Sequence, residues 1–169
     1  LYDQVMMSGV IPQVAAMMGP CFAGTAYVPG LADFVPMVKK TSAMALAGPP
    51  LVKAATGAEL TPDELGGPKL HCRESGVGDL EVEDDPDMIR AIKSYLSFFP
   101  SCWDDAVPVF ATTDSPTRRI EDVETLVPVN TRAPMDMYGL IDRLRDQDGP
   151  VLELKPKFGQ AIITSLIRL

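Results

Sequence analysis

Glycine and proline steps divide this chain into short segments and limit the length of every element it can form. The steps fall at residues 19–20, 48–50, 66–68 and 149–150. Each step ends a helix or strand, because proline lacks an amide proton and glycine is conformationally free. The longest apolar stretch, residues 14–24, is interrupted at Gly19 and is shorter than the roughly 18 residues that a membrane span needs. The pattern predicts short elements and no transmembrane segment.

Apolar periodicity and turn residues indicate the order of the first elements. A helix end is predicted up to Val10, and a buried strand at residues 11–18 leads into a tight turn at residues 19–24. Further strands are predicted at residues 34–39 and 42–47. A helix then begins at Pro49 or Pro50.

Capping residues mark the later helices. Thr61 and Glu64 form a capping box, and Asp84 and Asp136 each precede an amphipathic run. The helix after Asp84 should end at Pro100, and its predicted apolar face comprises Ile89, Ile92, Tyr95, Leu96 and Phe99. Residues 101–134 are rich in proline and predict a long irregular connection, after which strands resume at Val151 and Ala161.

Composition bounds the partners and the compartment. The 169 residues carry 15 Lys plus Arg against 23 Asp plus Glu, a net charge of −8. This balance argues against nucleic acid and anionic membranes as partners, because both need clustered basic residues. Three scattered cysteines favour a reduced compartment, so we expect a cytoplasmic protein, or a mitochondrial-matrix protein in a eukaryote.

The first residue is Leu1 and the last run is strand-like, so we expect an internal piece of a longer protein.

The turn at residues 19–25 is the strongest candidate for chemistry. Amides exposed where a strand runs into a helix carry partial positive charge, so those of Ala23 and Gly24 could hold an oxyanion. Small residues there would let a ligand approach the backbone. On pattern alone, a turn that merely packs small residues is the more frequent alternative.

Other candidate groups have simpler explanations. His71, the single histidine, has no readable metal-ligand set, which favours a structural hydrogen bond. Cys21 and Cys72 are flanked by apolar or small residues, as buried inert thiols are. The acidic residues Asp84, Asp85 and Asp87 are typical of the start of a helix. The basic pairs at residues 39–40 and 118–119 are typical of a solvated surface. We predict no metal site.

Several linked motifs together resemble the carboxyltransferase subunit of biotin-dependent acyl-CoA carboxylases. In order they are SGVIPQ (8–13), GPCFAGTAYVP (19–29), LAGPPLVKAATG (46–57), ELGG (64–67) and HCRESGVGD (71–79). The third and fifth strings look most like the methylcrotonoyl-CoA carboxylase β subunit, with propionyl-CoA and geranyl-CoA carboxylases next. The resemblance covers nearly the whole chain.

The resemblance implies an α/β, crotonase-like fold of repeated β-β-α units, of which this chain holds a partial domain. Residues 1–100 would be the later part of the N-terminal acyl-CoA domain, 101–150 an interdomain connection, and 151–169 the start of the C-terminal domain. It places oxyanion stabilisation on the Ala23 and Gly24 amides, with Phe22 as a pocket residue. The implied acyl-CoA contacts are Thr25, Gly48, Pro49, Gly66 and Gly67.

The implied reaction transfers carboxylate from carboxybiotin to an acyl-CoA through an enolate held by neutral amides, with no side-chain base required. Biotin would be carried by a separate biotin carboxyl carrier or biotin carboxylase subunit. The resemblance also implies a homo-oligomer, in the family a hexamer of facing subunits, and an isolated 169-residue piece without turnover.

Two alternatives stay open. The same amides would serve a biotin-dependent acyl-CoA decarboxylase, and a non-catalytic assembly module could keep the fold without the chemistry. Phe22 and Thr25 stand where the family often has smaller residues, so the pocket is narrower or its substrate differs.

Overall fold

The computed structural model describes residues 1–130 and 132–169, and short elements follow one another throughout. The first half contains α1 (Tyr2–Met7), β1 (Pro20–Phe22), a 3-10 helix (Ala23–Ala26), α2 (Tyr27–Gly30), β2 (Pro36–Val38), β3 (Ala43–Ala45), α3 (Pro49–Thr56), α4 (Pro62–Gly66), α5 (Pro68–Leu70) and a π-helix (His71–Ser75). The second half contains β4 (Leu80–Val82), α6 (Asp85–Leu96), α7 (Val123–Leu126), α8 (Met137–Leu144), β5 (Val151–Leu154) and β6 (Thr164–Ile167). The mixture confirms the α/β class.

Successive strands of the first half belong to different sheets. Strand β1 pairs in parallel with β3, and β2 pairs in parallel with β4. Parallel neighbours require a crossover, which the short helices between them supply. Strands β2 and β3 are consecutive in sequence yet lie in separate sheets, as expected for the β-β-α arrangement.

The segment at residues 11–18 was predicted as a buried strand, and this is only partly right. It runs extended beside β2 and makes two isolated parallel bridges, Val14 to Phe34 and Met17 to Met37. Gln13 and Met17 are buried, whereas Ala16 and Met18 are exposed. A strand at the edge of a sheet presents part of its surface to solvent, so its continuous apolar sequence did not indicate full burial.

The tight turn predicted at residues 19–24 is shorter than expected. Residues Pro20–Phe22 form β1, and the chain changes direction only at Ala23. Proline is tolerated here because it is the first residue of the strand. Strand, turn and helix therefore follow one another as predicted, with the turn moved toward the carboxyl side.

Helix α6 packs the core with a face that agrees only in part with the predicted one, since Tyr95, Ile92 and Phe99 do contact the core. Met88, Ala91 and Tyr95 are its buried residues, whereas Ile89 and Leu96 are 47% and 41% exposed. The helix also ends at Leu96 and not at Pro100. Tyr95 stacks on Phe34 with ring centroids 4.4 Å apart, and this pair forms the centre of the larger core cluster.

Local capping signals are confirmed. Thr61 and Glu64 make the reciprocal capping box that starts α4. Asp84 accepts the amide of Asp87 at 2.8 Å to start α6, and Asp136 accepts the amide of Gly139 at 2.9 Å to start α8. Apart from α7, the described residues between 101 and 134 are irregular, as predicted. No helix in the described ranges has the length and apolar content to cross a membrane.

The last segment folds back onto the region around β4. Strands β5 and β6 form an antiparallel pair, with β6 beginning at Thr164 where Ala161 was expected. Lys155 contacts Asp79 at 2.7 Å, and Lys157 contacts Glu81 at 2.6 Å. The two carboxylate side chains are 7% and 3% exposed. Buried carboxylates need such partners, so these pairs join the two parts of the chain.

We expect Glu81→Gln to destabilise the 169-residue chain in a pH-dependent way. Arg73 donates two hydrogen bonds to Glu81 at 2.7 and 3.0 Å, and with Lys157 it lowers the pKa of Glu81 to about 2. The pKa of a glutamate in an unfolded chain is about 4.3. Ionised Glu81 therefore stabilises the fold by about 3 kcal/mol above that pH, and this stabilisation is lost as the pH falls toward 2. Urea unfolding at pH 7 and pH 2.5 would measure it.

The wild type and the glutamine variant should therefore differ strongly at pH 7 and little at pH 2.5. Glu83→Gln is the matched control, because Glu83 pairs with Lys39 at the surface and its side chain is 69% exposed. Exposed pairs contribute about 1 kcal/mol or less. A Glu81→Gln difference that is the same at both pH values would contradict the assignment.

Candidate functional site

The turn that follows β1 has an unusual backbone. Phe22 is extended, with φ −119° and ψ 161°, whereas Ala23 has a φ of +59°. A residue with a side chain rarely adopts this left-handed conformation, which costs of order 1 kcal/mol and persists where the surroundings enforce it. Such residues cluster at functional sites. The strain lies at one of the two residues that the sequence assigned to oxyanion binding.

The residues at this turn are exposed to solvent. Ala23, Gly24 and Thr25 are all exposed. The first amides of a helix have no carbonyl partner within it, and among the described residues no side chain caps this 3-10 helix. The Thr25 hydroxyl donates to the Phe22 carbonyl oxygen at 2.7 Å, which ties the helix start to the end of β1. The turn can therefore present amide protons to an external acceptor.

Space is also free beside Gly24. Apart from its chain neighbours and the backbone of its own helix, a β-carbon built on Gly24 would meet no atom within 4 Å. The glycine is thus not demanded by packing within the described chain. Room for a ligand to approach the backbone is a different reason for a glycine at this position.

Two of the predicted acyl-CoA contacts lie next to the turn. Phe22 is paired in register with Ala45 of β3, and its ring lies 3.7 Å from where a β-carbon on Gly48 would be. Pro49 follows as the first residue of α3 and lines a groove of about 570 Å³ between α3 and α4. The structure therefore brings Phe22, Gly48 and Pro49 together.

Two further predicted contacts, Gly66 and Gly67, have a packing explanation. A β-carbon on Gly66 would lie 2.0 Å from the carbonyl oxygen of Met44, and one on Gly67 would lie 2.1 Å from the Asp63 carboxylate. Both glycines are buried. Gly66 allows α4 to pack directly on β3, the strand beside the turn, and Gly67 leaves room for the Asp63 side chain at the end of α4.

His71 has the structural role expected from the sequence. Its Nε2 donates to the carbonyl oxygen of Met44 at 2.7 Å, and its Nδ1 lies 2.9 Å from the Ser75 hydroxyl. Both ring nitrogens are thus engaged. The π-helix that carries His71 was not predicted, because the glycine and proline at residues 67–68 suggested only a helix end.

The Cys72 thiol is buried and a poor nucleophile, as expected. Cys72 is 2% exposed, and burial, together with the charges of Glu81 and Asp79, raises its pKa to about 12. A thiol with such a pKa is protonated at neutral pH. Cys21 was also predicted to be buried, but it is only half-buried within β1.

The charged candidates are engaged elsewhere. Asp84 caps α6, and Asp87 pairs with Arg90 at 2.5 Å. Lys39 pairs with Glu83, and Arg118 with Asp114. Cys102, Asp104 and Asp105 lie within 4.8 Å of one another, but the two carboxylates are exposed, as surface acidic groups commonly are without any ion.

A cavity of about 330 Å³ lies apart from the turn, between the end of α1 and the end of α6. Val10, Tyr95 and Trp103 are among its lining residues. Its lining includes none of the predicted site residues, so the candidate turn does not open into this cavity.

Comparison with known families gives one match over the whole chain. The model of the carboxyl transferase domain matches residues 1–169. The chain is 40% identical to the methylmalonyl-CoA decarboxylase subunit alpha of Veillonella parvula over 99% of its length. It is 39% identical to the propionyl-CoA carboxylase beta chain of Roseobacter denitrificans over 98% of its length. It is also 39% identical to the biotin-dependent 3-methylcrotonyl-coenzyme A carboxylase beta1 subunit of Mycobacterium tuberculosis, over 99% of its length.

The chain spans about a third of the length of these relatives, 32–33% in each case. Among solved structures, the transcarboxylase 12S hexamer core with hydrolysed methylmalonyl-coenzyme A is similar with a TM-score of 0.91 and 30% identity, over 99% of this chain and 33% of that one. The geranyl-CoA carboxylase beta subunit of Pseudomonas aeruginosa is similar at a TM-score of 0.54, with 29% identity over 99% of this chain and 31% of that one. Identities this close do not rank the methylcrotonoyl, propionyl and decarboxylase relatives.

Proposed function

Because this chain belongs to the carboxyl transferase domain family, we propose that it forms the acyl-CoA side of the carboxyltransferase component of a biotin-dependent acyl-CoA carboxylase. The observation that carries the proposal is the turn after β1. Ala23 holds a left-handed backbone there, and free space adjoins Gly24. The crotonase-like fold agrees with the solved relatives.

In the proposed reaction, the Ala23 and Gly24 amides donate to the thioester oxygen of the acyl-CoA. That oxygen gains negative charge as the α-carbon loses its proton, so the amides bind the transition state more strongly than the ground state. Neutral amides do not return a proton to the carbanion. One such donor is typically worth a factor of about 100 to 1,000 in rate.

Biotin, delivered on a partner carrier, would supply the carboxyl group and, through its ureido nitrogen, the base. The described residues suit this division. Both nitrogens of His71 are occupied and the Cys72 thiol is buried, so neither is placed to take the α-proton. The chain's contribution is to bind and orient the thioester.

We assign Thr25, Gly48 and Pro49 to acyl-CoA binding, because they flank the turn and Pro49 lines the adjoining groove. The Phe22 ring would lie beside the acyl group of the bound acyl-CoA. Gly66 acts indirectly in this proposal, by letting α4 pack on β3, and Gly67 does so by leaving room for the Asp63 side chain where α4 ends.

The domain assignment is also a proposal. Residues 1–100 would belong to the N-terminal acyl-CoA domain, 101–150 to the connection, and 151–169 to the C-terminal domain, which would receive biotin. We propose a homo-oligomer of facing subunits, in keeping with the hexamer named for transcarboxylase 12S.

The 169-residue chain alone should form no carboxylated product. With carboxybiotin and propionyl-CoA or methylcrotonoyl-CoA, product detected by mass spectrometry should stay at background, since the facing domain is needed to bring the donor to the turn. The full-length polypeptide that contains the chain should form product with one of these thioesters. Turnover by the 169 residues alone would contradict the proposed division of the site.

A biotin-dependent decarboxylase is the second candidate, favoured by the 40% identity to the Veillonella parvula subunit. The same amides would then stabilise the enolate left when carboxylate departs. Supplying the full-length polypeptide with methylmalonyl-CoA and free biotin tests this direction. Faster loss of carboxylate from methylmalonyl-CoA than its formation from propionyl-CoA would favour the decarboxylase.

A further inference from the structure

We propose that His71 is a positioning residue that holds β3, and through it the turn at residues 22–24, in the geometry that carboxyl transfer requires. The inference rests on the proposed function of that turn. His71 would touch neither substrate nor donor. Its effect would pass through the backbone of one strand.

The first observation is the pair of hydrogen bonds on the imidazole ring. Because a carbonyl oxygen can only accept, the 2.7 Å contact from Nε2 to Met44 requires a proton on Nε2. Nδ1 lies 2.9 Å from the Ser75 hydroxyl, within hydrogen-bond distance. Ser75 thereby orients the ring toward the strand.

The second observation is where the Met44 carbonyl points. The amide of Ala43 donates across the sheet to the carbonyl of Gly19, just before β1. Neighbouring residues in a strand direct their backbone groups to opposite edges, so Met44 faces away from β1. His71 therefore supports the edge of β3 that β1 leaves open.

The third observation links this edge to the turn. Met44 pairs in register with Cys21, and the next pair is Ala45 with Phe22, directly before the strained Ala23. Each of the two strands has three residues, so the position of β3 sets the position at which β1 ends. Gly66 packs on the same carbonyl and limits how far β3 can move.

Loss of the donor would leave a buried carbonyl without a partner, because Met44 is 6% exposed. Such a group recovers hydrogen bonding by shifting toward water or toward another donor. A shift of β3 would relax the left-handed Ala23, whose conformation depends on its surroundings. Amides displaced from the position of the oxyanion lose part of their effect on rate.

The test compares His71→Leu and His71→Gln in the full-length polypeptide, with the acyl-CoA that the wild type carboxylates. The leucine variant removes the donor, and we expect kcat to fall about tenfold with KM for acyl-CoA changed less than about twofold. The glutamine variant keeps an N–H donor and should recover most of kcat. This rescue, together with the split between kcat and KM, would not follow from general destabilisation.

Asp148→Asn is the matched control for stability. Asp148 accepts hydrogen bonds from Thr112 and Thr113 in a different part of the chain, so its replacement should lower the melting temperature without lowering kcat. An unchanged kcat in His71→Leu would overturn the inference, as would an equal loss in the glutamine and leucine variants. A wild type inactive with every acyl-CoA would instead refute the proposed function.

Discussion

Replacing Gly24 by leucine should lower the carboxylation rate of the full-length polypeptide by about a hundredfold or more, the effect of losing an oxyanion donor. Apart from its chain neighbours and the backbone of its own helix, a β-carbon at Gly24 meets no atom within 4 Å, so folding should be preserved. The leucine side chain would instead occupy the space from which a thioester oxygen approaches the amides. Steady-state assays with saturating carboxybiotin would measure the loss.

Gly30→Leu is the matched control for this change. Gly30 ends α2, six residues further along, and its β-carbon would likewise meet nothing within 4 Å. Both variants should melt near the wild-type temperature, and only the Gly24 variant should lose activity. Acyl-CoA should also raise the melting temperature of the wild type and of Gly30→Leu, but not of Gly24→Leu. If Gly24→Leu kept both activity and acyl-CoA binding, the turn would not be the site, and the assembly-module alternative would gain support.

Replacing Gly66 by alanine should cost at least about 4 kcal/mol of folding free energy, at the upper end of single substitutions. The new β-carbon would lie 2.0 Å from the carbonyl oxygen of Met44 and 2.8 Å from its carbonyl carbon. These are backbone atoms of a buried strand, so no side-chain rotation relieves the overlap. Thermal unfolding of the 169-residue chain should show a melting temperature about 10 °C lower or more.

Gly48→Ala provides the comparison, because its β-carbon would make an ordinary contact of 3.7 Å with the Phe22 ring. We expect a change of less than about 1 kcal/mol there, since the substitution also reduces the freedom of the unfolded chain. Near-equal stabilities of the two variants would mean that α4 does not pack on β3 as closely as described.

Features set by neighbouring residues were predictable from the sequence. The capping box at Thr61 and the helix starts at Asp84 and Asp136 depend on contacts within four residues, and all three are present. The strand, turn and helix around Ala23 were also predicted. Each follows from short-range chemistry that a single sequence displays.

Features set by distant partners were missed. Strand β4 escaped prediction because Glu81 lies in its middle, and a buried glutamate does not fit a strand pattern. Its burial depends on Arg73 and on Lys157. The buried face of α6 was misjudged for a related reason, since which of its apolar residues are covered depends on where β2 and the Phe34 ring lie.

At the candidate site, too, the sequence indicated residue types but not the features that depend on distant contacts. Residue type and resemblance proposed Ala23 and Gly24 as site residues, but nothing in an alanine indicates a φ of +59°. For Gly66, the sequence suggested ligand contact, whereas the structure supplies a packing role through Met44. Proximity of a glycine to a motif does not distinguish these two uses.

The ion pairs between the last segment and β4 affect the order in which the chain folds during synthesis. Lys157 follows Glu81 by 76 residues, and Lys155 follows Gly76 by 79. At about 5 to 20 residues per second, a ribosome needs roughly 4 to 15 s to add 76 residues. During that interval Asp79 and Glu81 lack their lysine partners, so burying them is unfavourable and β4 should remain open to solvent. The strand that completes the second parallel sheet would thus be among the last to dock, and it would be exposed to proteases and chaperones until then.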